Sequence, residues 1–294
     1  MLKGRILKGI GGFYYVDTDE GIFECKARGI FRKKRITPLV GDLVRINIIK
    51  EDEKKGVIEK IEKRSSELIR PPIANITKAI IVFSIKNPNP HLSLLDRFIV
   101  LAEKEGLEIV IAISKIDLDE DNDFEKIKCI YEKAGYKVIP ISIKKDINIE
   151  KIKEELNDNT VVFAGPSGVG KSSLLNSIDS NLKLETGSVS EKIKRGKHTT
   201  RHAELLKLDF GGMVADTPGF SSLNLDDIEE QELKDYFIEF ENYSNDCKFY
   251  RNCLHENEPN CGVKDALEKD KISKERYKSY LQLLKEIRKN NRRY

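Results

Sequence analysis

Gly165-Pro-Ser-Gly-Val-Gly-Lys171-Ser172 fits the pattern of a phosphate-binding loop, with an apolar run before it. Ser114-Lys115-Ile116-Asp117 reads as a base-recognition element, and Asp117 precedes Gly165 by 48 positions. In most chains that carry both elements the phosphate loop comes first. No second base-reading element follows Asp216-Thr-Pro-Gly219, so the conventional order is not available. The order therefore predicts a circularly permuted α/β nucleotide-binding sheet.

Each motif has a chemical reason for its residues. Gly168 and Gly170 let main-chain N–H groups turn inward around phosphates, and a following helix N-terminus favours the anion. Gly165, Pro166, Ser167, Gly168, Val169, Gly170, Lys171, Ser172 and Ser173 form the expected phosphate-binding set. Lys171 is placed to reach the β- and γ-phosphates and is a catalytic candidate, while the Ser172 hydroxyl ligates Mg²⁺. Asp216 holds the same ion through water, and the Gly219 N–H senses the γ-phosphate, which makes this segment a switch. Ras-like enzymes place a water-orienting glutamine at the position of Phe220. A phenyl ring cannot orient water by hydrogen bonding, so intrinsic hydrolysis is expected to be slow.

Arg195-Gly-Lys-His-Thr-Thr-Arg-His202 reads as a loop between these motifs. Thr199 or Thr200 completes the Mg²⁺ shell, and Thr200 joins Lys171 and His198 among the catalytic candidates. His198 has an ordinary pKa near neutrality, which suits it to orient or deprotonate the attacking water. The competing reading is a solvated loop histidine. For base selection, the Asp117 carboxylate accepts hydrogen bonds from guanine N1–H and the exocyclic amine, which adenine cannot offer. Ser114 stands where Asn is usual, and its shorter side chain is expected to brace the loop less well. Ser142 and Ile143 follow the next strand, and the Ile143 N–H faces guanine O6. With Lys115 and Ile116 these residues complete the nucleotide set.

Composition bounds the rest. The chain has 294 residues, 39% hydrophobic and 34% charged, which fits two or three globular domains. No apolar run spans a bilayer or forms a signal region, so the expectation is a cytoplasmic protein without membrane contact. The net charge of +3 divides into +6 over residues 1–70, −10 over 71–270 and +7 over 271–294. Basic ends suit a polyanion, since neutralised phosphates release counterions; the other reading is a solvated surface.

Residues 1–70 read as short strands between glycines, including Gly12–Val16, Gly21–Cys25, Leu43–Ile49 and Gly56–Ile61, and suggest a small barrel. Arg32-Lys-Lys-Arg35 falls in a loop between strands, and Phe31 beside it suits stacking on single-stranded RNA, unless the ring is core. Arg70-Pro71-Pro72 marks a linker. From there strands Ala79–Ser84, Glu108–Ile113, Lys137–Ile141 and Thr160–Ala164 alternate with helices Leu92–Lys104, Asp123–Ala134 and Ile147–Leu156. That alternation is a doubly wound, mostly parallel sheet, whose ligands bind at the carboxyl ends of strands. After Asp226 the chain is polar and helical and ends on a basic amphipathic helix, Ser273–Lys289. The expected domains are 1–70, 71–225 and 226–294.

Three of the five cysteines crowd into Cys247-x5-Cys253-x-His255-x5-Cys261. Three thiolates and one imidazole make a closed tetrahedral Zn²⁺ set, structural rather than catalytic. Cys25 and Cys129 read as ordinary core residues.

Taken together, the chain resembles the ribosome-small-subunit-dependent GTPases, circularly permuted GTPases of bacterial small ribosomal subunit biogenesis. The resemblance covers nearly the whole chain. It rests on the motif order, Arg70-Pro-Pro-Ile-Ala-Asn-Ile76, Gly196-Lys-His-Thr-Thr200 and the Cys/His loop with Glu258-Pro259. It implies an OB-fold barrel, a permuted P-loop GTPase domain and a C-terminal helical zinc-binding domain. It further implies binding to the 30S subunit and 16S rRNA, and subunit-stimulated hydrolysis of GTP to GDP and phosphate with His198 as the switch histidine. Against the family pattern, Ser114 replaces Asn, and the first zinc spacing is one residue longer. The expected assembly state is a monomer. The alternatives are an RNA-binding assembly factor with a structural nucleotide site, or an ATP-using enzyme, which Asp117 disfavours.

Overall fold

The structure, a computed structural model, describes residues 1–33, 35–50, 52–68, 71–182, 184, 203–216 and 223–291. Among these, β1 (Leu2–Ile10), β2 (Phe13–Thr18), β3 (Gly21–Ala27), β4 (Leu43–Lys50) and β5 (Lys55–Ile61) close into a barrel ordered β1-β2-β3-β5-β4. β1 pairs antiparallel with both β2 and β4, which removes the free edge. Alternate residues Ile6, Val16, Phe23, Ile46 and Ile58 fill the interior. A Cβ at Gly4 would lie 2.5 Å from the Asp17 carbonyl oxygen, so β1 approaches β2 this closely only with glycine. The short helix α1 (Gly29–Lys33) joins β3 to β4. It changes the reading of the basic segment: Phe31 is 8% exposed and belongs to the core, so it is not a stacking platform. Its ring gains more from leaving water than it would from standing exposed.

The described residues on either side of the linker pair with each other. β6 (Glu67–Leu68) pairs with β7 (Ile73–Ala74), and the Ala74 N–H donates to the Val40 carbonyl at 2.8 Å. The nucleotide-binding sheet then runs β10-β9-β8-β11-β13-β12, with β8 (Lys78–Ser84), β9 (Glu108–Ser114), β10 (Lys137–Pro140), β11 (Thr160–Ala164), β12 (Leu205–Lys207) and β13 (Met213–Ala215). Every neighbour is parallel except β12–β13. Ala79, Ile81 and Phe83 of β8 pack with helices α2 (Leu92–Lys104) and α3 (Asp123–Lys133). Ile80 and Val82 pack with α4 (Ile149–Leu156) and α5 (Lys171–Ile178) on the other face. Burial on both faces explains why these strands are continuous apolar runs. The barrel meets the sheet's far edge through the ion pairs Lys8–Glu204 at 2.8 Å and Lys207–Asp17 at 2.9 Å.

The remaining chain forms α6 (Glu241–Ser244), α7 (Gly262–Glu268) and α8 (Lys274–Asn291), with 3-10 turns before α6 and between α6 and α7. α8 is not simply a basic face presented to a polyanion. Arg276 is 1% exposed and donates to Glu239 through Nε and Nη2, both at 2.8 Å, and to Asp96 of α2 at 2.8 Å. Its guanidinium also lies 4.6 Å from the Phe237 ring centroid. A buried charge of this kind is tolerated only when paired, and here two carboxylates hold it charged against the cost of burial. Arg288 is taken up by Glu230 and Glu256. Arg276 therefore ties α8 to α2, and Arg288 makes its pairs within residues 226–291.

Candidate nucleotide and metal sites

Four chain segments reach the same edge of the sheet, because parallel strands end on the same side. Ser114–Asp117 follows β9, Ser142–Ile143 follows β10, Gly165–Ser173 follows β11, and Asp216 follows β13. His198, Thr199, Thr200, Gly219 and Phe220 lie outside the described residues.

Gly165 has φ +130°, and a Cβ there would stand 2.0 Å from the Val82 carbonyl oxygen of β8. The loop thus leaves the sheet along a path that only glycine permits. Val169 is buried and anchors the loop's middle, while Ser167 and Gly168 are exposed above it. Gly170, at φ +98°, precedes α5, whose first turn carries Lys171, Ser172 and Ser173. The Lys171 Nζ spans the loop and donates to the carbonyls of Gly165 at 2.8 Å and Pro166 at 2.7 Å. Burial pushes its ammonium down to about 8. A bound polyphosphate reverses that trend by favouring the charged form.

The segment Ser114–Asp117 is tied to this loop. Ser114, 2% exposed, donates its Oγ to the Val169 carbonyl at 2.6 Å. The shorter side chain therefore still reaches the phosphate loop. The reason is that β9 and β11 flank β8 and bring the two loops within hydroxyl reach. Lys115 adopts a left-handed conformation at φ +58°, and its Nζ donates to the carbonyls of Gly168, at 2.7 Å, and Asn87. Asn87 had no signal in the sequence, since a main-chain carbonyl acts whatever its side chain. Asp117 accepts from the Ser142 hydroxyl at 2.6 Å, and that bond is the first reason its carboxyl lies below the usual range. The Ile116 N–H donates to the Ile141 carbonyl at 3.2 Å, joining both base-reading loops. The arrangement offers a fixed, ionised acceptor beside a phosphate cradle. Asp216 is exposed at the end of β13, with its N–H on the Glu204 carbonyl at 2.8 Å.

The second site is sealed. Cys247, Cys253, His255 and Cys261 are all buried, and their ligand atoms lie within 4.8 Å of one another. Cys261 Sγ is 3.8 Å from both other sulfurs, and His255 Nδ1 is 3.3 Å from it. Burial pushes the Cys253 thiol up to about 12 and the His255 imidazole down to about 4. Three buried thiols gathered around a neutral imidazole fit a dication that stabilises them as thiolates. Glu258 organises the loop by accepting from the N–H groups of Leu254 and Glu256, both at 2.9 Å. The Tyr280 hydroxyl caps the Leu254 carbonyl at 2.6 Å, as an outer support. Ligand count, burial and closure fit structural zinc. Cys25 is buried in the barrel, whereas Cys129 is exposed rather than core.

The chain is similar to known proteins over nearly its whole length. The model of the RsgA GTPase family matches residues 61–226, and that of the RsgA N-terminal domain matches residues 3–58. The small ribosomal subunit biogenesis GTPase RsgA of Alkaliphilus metalliredigens is 53% identical, over 99% of this chain and 100% of its own length. The protein of the same name from Caldanaerobacter subterraneus subsp. tengcongensis is 49% identical, over 100% and 98%. Among solved structures, YjeQ from Thermotoga maritima superposes with a TM-score of 0.86 at 39% identity, covering 97% of this chain and 98% of that one. YloQ, described as a circularly permuted GTPase, superposes with a TM-score of 0.84 at 41% identity, covering 98% and 96%.

Proposed function

The chain belongs to the RsgA GTPase family and is a GTP hydrolase, and from that premise we propose that it acts as a GTP-timed switch on the small ribosomal subunit. The observation that carries this reading is the double tie of Ser114 to Val169 and Lys115 to Gly168, which makes base recognition and phosphate binding one unit. Asp117, steadied by Ser142, selects guanine, and the Ile143 N–H faces O6. Lys171 leaves the loop carbonyls for the β- and γ-phosphates. Ser172, Asp216 and one of Thr199 and Thr200 would hold Mg²⁺, which would supply charge neutralisation on the phosphates. His198 orients the attacking water, and the Gly219 N–H reports the γ-phosphate.

The functional domains are 1–70, 71–225 and 226–294. The barrel contacts 16S rRNA on the 30S subunit. Zn²⁺ on Cys247, Cys253, His255 and Cys261 holds the C-terminal domain in shape. The protein works as a cytoplasmic monomer; no described helix is long and apolar enough to cross a membrane. GTP favours the subunit-bound state, hydrolysis stimulated by that subunit reverses the preference, and the difference in affinity drives release. GTP turnover with and without purified small subunits tests this: strong stimulation is expected, and equal rates overturn the partner. Lys171→Ala tests the switch. If turnover vanished while subunit release and maturation stayed normal, the chain would instead be an assembly factor with a structural nucleotide site.

A further inference from the structure

A third loop backs the nucleotide edge. β8 ends at Ser84, and the chain enters α2 at Leu92. Because β8 lies between β9 and β11, this loop leaves the sheet between Ser114–Asp117 and Gly165–Ser173. Both its ends are fixed. Ser84 pairs in register with Ser114, and the Ile85 N–H donates to the Ser114 carbonyl at 3.0 Å. At the other end α2 is docked on α8 by the buried Asp96–Arg276 pair.

Two contacts carry the loop into the site. The Asn87 carbonyl accepts from Lys115 Nζ, which also donates to the Gly168 carbonyl at 2.7 Å. One ammonium therefore joins three loops. Asn87 presents that carbonyl from a left-handed conformation, φ +53°, which asparagine tolerates better than most residues. Beside it, Pro88 Cδ stands 3.8 Å from the place a Cβ on Gly168 would take, so the ring lies against the phosphate loop. The hydroxyl of the buried Ser84 donates to the Pro88 carbonyl at 2.6 Å and holds this turn closed. Asn87, Pro88 and Asn89 are exposed. Water can therefore replace the Ser84 hydroxyl on the Pro88 carbonyl, and losing that bond costs position more than stability.

We propose that the β8–α2 loop governs how long nucleotide stays bound, with Ser84 and Asn87 as positioning residues. Ser84 sets the loop through the Pro88 carbonyl, and the Asn87 carbonyl holds Lys115 against Gly168. This deepens the reading of the nucleotide site and rests on it. With one acceptor in place of two, Lys115 bridges the base-reading segment and the phosphate loop less firmly. Ties of this kind act mainly through dissociation, and losing a charge-assisted bond is expected to speed release about tenfold.

Stopped-flow release of a fluorescent GDP analogue from the full chain, chased by excess GDP, tests this. Ser84→Ala should speed release about fivefold, with the melting temperature of the nucleotide-free protein close to wild type. At Asn87 the contact is a main-chain carbonyl, so backbone conformation decides. Glycine keeps the left-handed conformation, whereas a β-branched residue is forced out of it. Release is expected about tenfold faster from Asn87→Val than from Asn87→Gly. With Lys115→Met added to both, the two rates should agree within about twofold, because the carbonyl then has no ammonium to hold. Equal release from the two Asn87 variants, a tenfold difference that survives Lys115→Met, or a wild-type rate in Ser84→Ala overturns the proposal. A wild-type chain that holds ADP as long as GDP would instead count against the guanine site proposed above.

Discussion

The phosphate edge and the cysteine–histidine loop both gather groups around a charge, but they do so in opposite ways. At the phosphate edge Ser167, Gly168 and Asp216 are exposed, and the donors are main-chain N–H groups and one lysine that already has carbonyl partners. In the cysteine loop all four ligand residues are buried and the surrounding tyrosines close the outside. The first geometry lets a ligand enter and leave without unmaking the fold. The second would release a bound ion only by opening its own core. The proposed switch needs exchange at one site and permanence at the other, and the two sites lie in different parts of the chain.

The comparison is broken most severely at the sealed site. Stripping zinc with a strong chelator, or Cys261→Ser, should unfold residues 226–291 while GDP binding survives. Structural zinc contributes on the order of 10 kcal/mol in small zinc-folded peptides. Hydrogen exchange resolved along the chain checks this, and loss of protection across the sheet would show that the sites are not separable. Next, Lys171→Ala should reduce GTP hydrolysis roughly a hundredfold or more, because it removes a charge aimed at the transferring phosphoryl group. Its melting temperature should stay close to wild type, the mark of an exchange site. Ser114→Ala leaves the buried Val169 carbonyl without its donor, at about 1–3 kcal/mol. Nucleotide affinity should weaken about tenfold by calorimetry, and an unchanged value would mean the brace is incidental.

A different kind of effect is in pH. The Lys171 ammonium lies at about 8 in the unliganded protein against an ordinary 10.5. Above pH 8 the free protein must take up a proton to bind phosphate, so affinity should fall as pH rises toward 10.5, by at most about tenfold per unit. The sign for stability is opposite. Over that window the unfolded chain binds a proton that the fold lacks, so the unliganded fold gains stability. Lys171→Met should flatten both trends, and a pH-independent affinity in the wild type would refute the assignment.

Much of this was legible in the residues. Leu94, Leu95, Phe98 and Leu101 announce α2, and the observed Leu92–Lys104 has the expected bounds. The run in β8 is apolar because both its faces are covered. The cysteine spacing announces its own cluster. Other features were not legible, for identifiable reasons. β1 reads Leu-Lys-Gly-Arg-Ile-Leu-Lys-Gly-Ile, a weak alternation whose value as a strand depends on pairing with β4, some forty positions away. Arg276 looks like one more charge on a basic helix, and its burial depends on Asp96 and Glu239 arriving from elsewhere. The ties from Ser114 and Lys115 end on carbonyls, which leave no mark in sequence.

The sheet order has a consequence for synthesis. β8, β9 and β10 are consecutive in the chain and adjacent in the sheet, and their helices α2 and α3 are made with them. β11, which joins this block along β8, is translated only afterwards. A growing chain thus completes its base-reading half as a local, low-contact-order unit before any phosphate loop exists. Nucleotide cannot template that half. It can reward only the final docking of β11 and β13, so the permutation makes ligand binding a test of completion rather than a guide to folding.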